Sequence, residues 1–212
     1  MILAAILTVM GVTTYGEDGP SAPVGAEALD LGLPSGTKWA NMNVGAEKPE
    51  DYGLYFAWGE TTGYTSDTSD GHLFSWETYQ YVSSSYDVVD IGSDIAGTEY
   101  DAATAHWGTP WRMPSKTQIK ELQENCSSEW TTQNGVNGRK FTSNKNGNSI
   151  FLPAAGSRWD CELVNAGSVG YYWSSTPFDE DLACELYIDS GYVSRYNRIR
   201  TDGRSVRPVR KN

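Results

Sequence analysis

The chain has 212 residues, a formal net charge of −11 and 39% hydrophobic residues, with 8 Trp and 13 Tyr supplying much of its apolar bulk. An acidic chain does not bind nucleic acid through its overall field, and no stretch is long and apolar enough for a membrane span. With 22 Gly, 9 Pro and almost no helical periodicity, the composition predicts short strands and long loops around an aromatic core.

Met1 to Thr14 opens with an apolar run the length of a signal-peptide core, and Tyr15 to Gly25 is a small, polar linker. Residues 1–25 therefore read as a leader and linker of an exported protein, with residues 26–212 as a single domain. A buried N-terminal strand is the alternative for the apolar run. No lipid-anchoring cysteine follows it.

Ala28 to Leu33 and Lys38 to Val44 alternate around Pro34-Ser35-Gly36, as a β-hairpin does. Glu47 to Tyr52 reads as one helical turn, and Leu54 to Glu60 as an aromatic strand or buried corner. Thr61 to Thr98 is a long polar loop. Its carboxylates Asp67, Asp70, Asp87, Asp90 and Asp94 lack calcium-loop spacing and read as solvated surface. Tyr100 to Ala105 is a short helix candidate. Ser115, with Gln118 three positions on, makes a capping box for a helix over Lys116 to Asn125, whose apolar face is Ile119 and Leu122. The Asn-Gly pairs between Ser127 and Asn148 predict hairpin turns, with strands at Lys140–Thr142 and Ser149–Leu152.

Gly170 to Arg210 has a different texture. Gly170 to Pro177, aromatic and then turn-like, and Gly203 to Arg210, which interleaves apolar and basic residues, look like fixed structure, whereas the run between them mixes every chemical class with no clean period. A mixed run between fixed ends suits a recognition surface on a rigid support; an ordinary strand pair with a polar loop is the alternative. Seven of the 16 basic residues fall in the last 18 positions. They are expected to pair with the acidic stretch Asp87 to Asp101 within one domain. Arg112 and Arg207, flanked by apolar residues, are expected to pair with buried carboxylates. Three cysteines exclude a complete disulfide framework; Cys126 with Cys161 is the first choice for a single bridge, and Cys184 stands apart.

Six motifs occur in order: Leu31 to Ala40 (LGLPSGTKWA), Tyr55 to Glu60 (YFAWGE), Trp111 to Ser115 (WRMPS), Phe151 to Gly156 (FLPAAG), Tyr172 to Thr176 (YWSST) and Ser205 to Arg210 (SVRPVR). Over roughly Glu27 to Arg210 the chain resembles the FISUMP (major paralogous) domain of bacterial surface proteins. The resemblance implies an α+β, C-type-lectin-like fold, related to formylglycine-generating enzymes, with short strands, one or two short helices, many loops, and termini that meet in one small sheet. The C-terminal pattern also resembles the variable proteins of diversity-generating retroelements. That resemblance implies ligand-binding positions at Phe178, Asp179, Asp181, Leu182, Glu185, Asp189, Tyr192, Ser194, Tyr196, Ile199 and Asp202. It implies fixed scaffold at Trp173, Ser174, Ser175, Gly191, Arg204, Val206, Arg207 and Val209.

The calcium-dependent lectin motifs are missing, and Cys161 and Cys184 stand in no motif like the oxidase cysteines of the formylglycine-generating enzymes, so neither chemistry is carried over. His72 and His106 have no partner in sequence, and neither a serine-nucleophile elbow nor a phosphate loop is present. Asp179 and Asp181 give no defined glycosidase separation. The expectation is an exported, non-enzymatic binding protein with no cofactor, metal or membrane span, directed at a protein or glycan on another cell or a phage host. A fimbrial-tip or other surface subunit and a formylglycine-generating-type oxidase are the alternatives.

Overall fold

A computed structural model describes residues 19–83 and 87–211. The leader expectation for residues 1–25 falls outside the described residues as far as position 18. The described residues form thirteen short strands, two α-helices and a 3-10 turn at Thr68–Asp70: β1 (Ala28–Asp30), β2 (Lys38–Ala40), β3 (Tyr55–Phe56), α1 (Ala102–Trp107), α2 (Lys116–Asn125), β4 (Cys126–Gln133), β5 (Val136–Ser143), β6 (Ser149–Pro153), β7 (Ser157–Trp159), β8 (Glu162–Val164), β9 (Gly170–Pro177), β10 (Leu182–Ile188), β11 (Val193–Ile199), β12 (Arg204–Ser205) and β13 (Val209–Arg210). This is a mostly β, few-helix α+β architecture of several small sheets. Among the described residues, no helix is long and apolar enough to cross a membrane.

The main sheet has the order β11-β10-β9-β12-β3, with β12 parallel to β9 and the other neighbours antiparallel. Strands β1, β2 and β13 form a second sheet, which joins the first hairpin to the last strand. β4, β5 and β6 make a third sheet, and β7 with β8 a small ribbon. The turn from β4 to β5 uses Asn134 and Gly135, both at positive φ (48° and 85°), the conformation a two-residue hairpin loop needs.

Aromatic side chains fill the interior, and four of them turn their polar tips toward backbone carbonyls. Trp58 Nε1 donates to Ser174 O at 2.8 Å, and Trp173 Nε1 donates to Phe56 O at 2.8 Å. Tyr172 Oη and Tyr79 Oη donate to Pro153 O (2.6 Å) and Trp58 O (2.7 Å). Each ring thus buries its apolar body without stranding a donor. On the other side of the sheet, α2 inserts Ile119 and Leu122 into a cluster with Leu31, Trp39, Phe141, Ile150, Leu186 and Val209. Its capping box forms: Gln118 N donates to Ser115 Oγ at 3.3 Å and Ser115 N to Gln118 Oε1 at 2.9 Å.

Several expectations need correction. The Cys126–Cys161 bridge is not formed: Cys126 is buried at the α2–β4 junction and Cys161 is exposed at the β7–β8 turn. Burial pushes the Cys126 thiol up to about 11, which keeps it protonated and inert. Arg207 is fully buried, yet meets no carboxylate; Nε donates to Asn43 Oδ1 (2.8 Å) and Nη1 to Ala40 O (3.1 Å). Arg112 contributes its backbone, exchanging bonds with Val209 at 2.9 and 2.8 Å. The C-terminal arginines do not pair with Asp87 to Asp101: Arg198 and Arg204 meet Glu185, while Arg200 and Arg210 lie over Trp58 and Trp111. Residues 47–51 form a turn closed by the Asp51 carboxylate on two backbone N–H groups, with no helical turn. Asp70 in the long loop is no solvated bystander. Arg158, whose side chain is wholly buried, clamps it with Nη1 at 2.6 Å and Nη2 at 2.9 Å, and this fork holds the Asp70 carboxyl down to about 2.

The acidic stretch supplies one interior group of its own. Asp101 is buried, caps α1, and accepts from Gly97 N (2.7 Å), Ala103 N (2.8 Å), Thr104 N (3.0 Å) and Met113 N (3.0 Å). Removing it strands four backbone donors. Asp101→Ala is expected to lose about 4 kcal/mol of unfolding free energy, and Asp101→Asn, which keeps one acceptor oxygen, roughly half of that. Urea denaturation measures both; a loss below about 1 kcal/mol for the alanine variant contradicts the role given to this carboxylate.

Candidate functional site

The site is built on the β10–β11 hairpin, whose register runs without a slip from Leu182↔Ile199 to Ile188↔Val193. Strand alternation then sorts the side chains. Ala183, Glu185 and Tyr187 stand opposite Arg198, Tyr196 and Ser194 and share one face with them, while Cys184 and Leu186 share the other, α2-facing side with Asn197 and Arg195. On the first face, Tyr171 of β9 stands opposite Tyr187. The Tyr187 ring lies 5.5 Å from Tyr171, 5.4 Å from Tyr192 and 5.4 Å from Tyr196. Four tyrosines thus make one contiguous patch, fixed by mutual ring contacts and by Tyr187 Oη donating to Asp189 Oδ2 at 2.8 Å.

Beneath the patch runs a chain of alternating charges. Glu185 Oε2 lies 3.0 Å from Arg204 Nε, and Oε1 lies 3.5 Å from Arg198 Nε. Arg204 Nη2 donates to Asp202 Oδ2 at 2.7 Å. The Arg204 guanidinium sits 4.4 Å over the Tyr171 ring, and Arg198 sits 5.2 Å over Tyr196. Burial pushes the Glu185 carboxyl up to about 7, against the downward pull of Arg204 and Arg198. Burial likewise raises Asp202, opposed by Arg204.

The structure treats the eleven expected ligand-binding residues unequally. Phe178, Tyr192 and Ile199 are 59%, 49% and 42% exposed. Asp181 is exposed; Leu182, Ser194, Tyr196 and Asp202 are half-buried. Asp179 and Asp189 spend carboxylate oxygens on their own turns: Asp179 Oδ1 accepts from the backbone N–H of Asp181 and Leu182, and Asp189 Oδ1 accepts from Gly191 and Tyr192. Glu185 is a correction. Its side chain has no exposure and belongs to the charge chain below the surface. The set does not form one cluster, since Phe178, Asp179 and Asp181 lie at the open end of the hairpin and Asp189 and Tyr192 at its turn.

Residues that the sequence reading passed over complete the surface. Tyr171, Tyr187 and Arg198 belong to the patch. A groove of about 560 Å³ continues from it toward the β7–β8 ribbon and is lined by Trp159, Val164, Tyr171, Leu182, Asn197, Arg198, Ile199, Asp202 and Arg204. The alternation of Glu185, Tyr187 and Asp189 with apolar Leu186 and Ile188 was the available signal for Tyr187; nothing local marks Trp159, which a different ribbon brings in.

Comparison with protein families finds that residues 115–209 match a family described as a domain of unknown function (DUF8237), a span from α2 to β13 that contains the whole hairpin. No curated protein and no solved structure matches the chain.

The raised Glu185 carboxyl has a definite pH signature. A group with a folded value near 7 and an ordinary value near 4.5 favours folding fully below the lower value, and that contribution disappears as pH rises through the upper one. Glu185→Gln mimics the protonated form at all pH. Between pH 5 and pH 8 the variant is therefore expected to gain on the parent chain by up to about 3 kcal/mol in urea unfolding. A parent chain that gains on the variant over this range would mean that the arginine pairing outweighs burial.

Proposed function

We propose that the chain is an exported ligand-binding protein with a C-type-lectin-like, FISUMP-type domain, and that the β10–β11 hairpin with its flanking turns is its recognition surface, a variable region of the diversity-generating-retroelement kind. Its ligand is a protein or glycan on another cell or a phage host, and it performs no catalysis. The observation that carries this reading is the division of the C-terminal stretch. Trp173, Ser174, Ser175, Val206, Arg207 and Val209 are fully buried. Phe178, Tyr192 and Ile199, on the hairpin and its flanking turns, are exposed. A chemically mixed surface over a closed, aromatic frame can change its side chains without repacking a core. Tyrosines locked by one another also lose little entropy when a ligand covers them.

Two measurements test the proposal. Replacing Phe178, Tyr192, Ser194 or Ile199 singly with alanine is expected to move the unfolding free energy by no more than about 0.5 kcal/mol, whereas Trp173→Ala costs about 4 kcal/mol. Sibling gene copies from the same genome are expected to differ mainly at the exposed positions between Phe178 and Asp202, and to keep Trp173, Arg204 and Arg207. Differences spread evenly along the chain, or a core-sized penalty at Tyr192 or Ile199, overturn the reading.

A further inference from the structure

We infer that the groove beside the tyrosine patch binds a neutral pyranose sugar, stacked on Trp159; the inference rests on the recognition reading above and gives it a ligand class. Trp159 is 59% exposed, a large apolar surface to leave in water. Backbone bridges hold it in place on both sides. Arg158 and Gly203 exchange bonds of 2.8 Å, and Phe74 N donates to Asp160 O at 2.9 Å. The indole makes no aromatic pair with any other ring among the described residues, so it is a positioned platform with a free face.

The other groove residues decide what that platform takes. Arg198 and Asp202 offer donors and an acceptor side by side. Both arginines are already engaged, Arg204 by Asp202 and both by the buried Glu185, so neither guanidinium is free to fork onto an anionic ligand. A pyranose has one face of axial C–H bonds, which suits the electron-rich face of an indole, and a rim of hydroxyls that each donate and accept. A groove of about 560 Å³ holds one or two such rings.

The experiment is a titration of the intact chain with methyl glycosides of glucose, galactose, mannose and N-acetylglucosamine, with N-acetylneuraminic acid as the acidic control. The readout is the Trp159 indole N–H resonance, assigned by its loss in Trp159→Ala. One neutral glycoside is expected to shift that resonance saturably with a dissociation constant of order 1 mM. Ligand-observed saturation transfer should fall at least about tenfold in Trp159→Ala, with the thermal midpoint unchanged. Lys120→Ala, on the exposed face of α2, should bind the sugar normally. No shift with any neutral glycoside up to about 50 mM, or equal saturation transfer in Trp159→Ala, overturns the sugar assignment. A stronger response to N-acetylneuraminic acid overturns the neutral class. None of these failures touches the recognition reading, which stands or falls on the alanine series and the sibling copies.

Discussion

Two reciprocal indole bonds tie the main sheet together. Strand β12 lies between β9 and β3, and it is only two residues long. Trp58, just beyond β3, donates to Ser174 on β9, and Trp173 on β9 donates back to Phe56 on β3. The pair spans the short strand and fixes the distance between its neighbours with donors that have no other outlet in a dry interior. β9 is thereby immobilised, and β9 is the strand on which the β10–β11 hairpin is registered. Whatever the hairpin displays is held in position by bonds on the far side of the sheet.

The arginines show how an acidic chain uses its few cations. Arg158 locks the long loop through Asp70, Arg204 and Arg198 flank the buried Glu185, and Arg200 and Arg210 spread over Trp58 and Trp111. Only the planar guanidinium serves all three purposes, because it forks onto a carboxylate and also lies flat on a ring. Much of the C-terminal positive charge is therefore internal wiring, while Arg195, Arg198 and Lys211 stay at the surface. Arg207 is the extreme case: enclosed and held by neutral acceptors, it is driven down to about 10 by its burial.

Much of this was legible in the sequence where one demand fixed one position. The Ser115–Gln118 box, the apolar pair Ile119 and Leu122, and the Asn134-Gly135 turn each carry a local signature, and α2 forms over the range those residues predict. Strand β4 was not legible. Apart from Cys126 and Trp130 its residues are polar, and only Cys126 is buried, so no period of two appears. The fates of Asp179, Asp189 and Glu185 were also hidden, for two different reasons. The two aspartates stand in Asp-x-x turn sequences whose own N–H groups claim the carboxylates, whereas the burial of Glu185 depends on Arg204, which returns from β12 to cover it. Trp159 likewise acquires its setting only when the β7–β8 ribbon bridges to Gly203. Contacts made across the chain leave no trace in either partner's neighbourhood.

Strand β11 carries much of the proposed recognition surface and is also the border of the main sheet. A seven-residue border with open amide and carbonyl groups invites a stray chain to zip onto it. Here Arg195 and Arg198 stand on that border, with Tyr196 and Asn197 between them. They act as guards against self-stacking, because like charges meet when two such borders align. Replacement of both by aliphatic residues would leave the fold intact and still make the protein insoluble. The range of side chains this surface can carry is thus bounded by colloidal behaviour well before it is bounded by the architecture underneath.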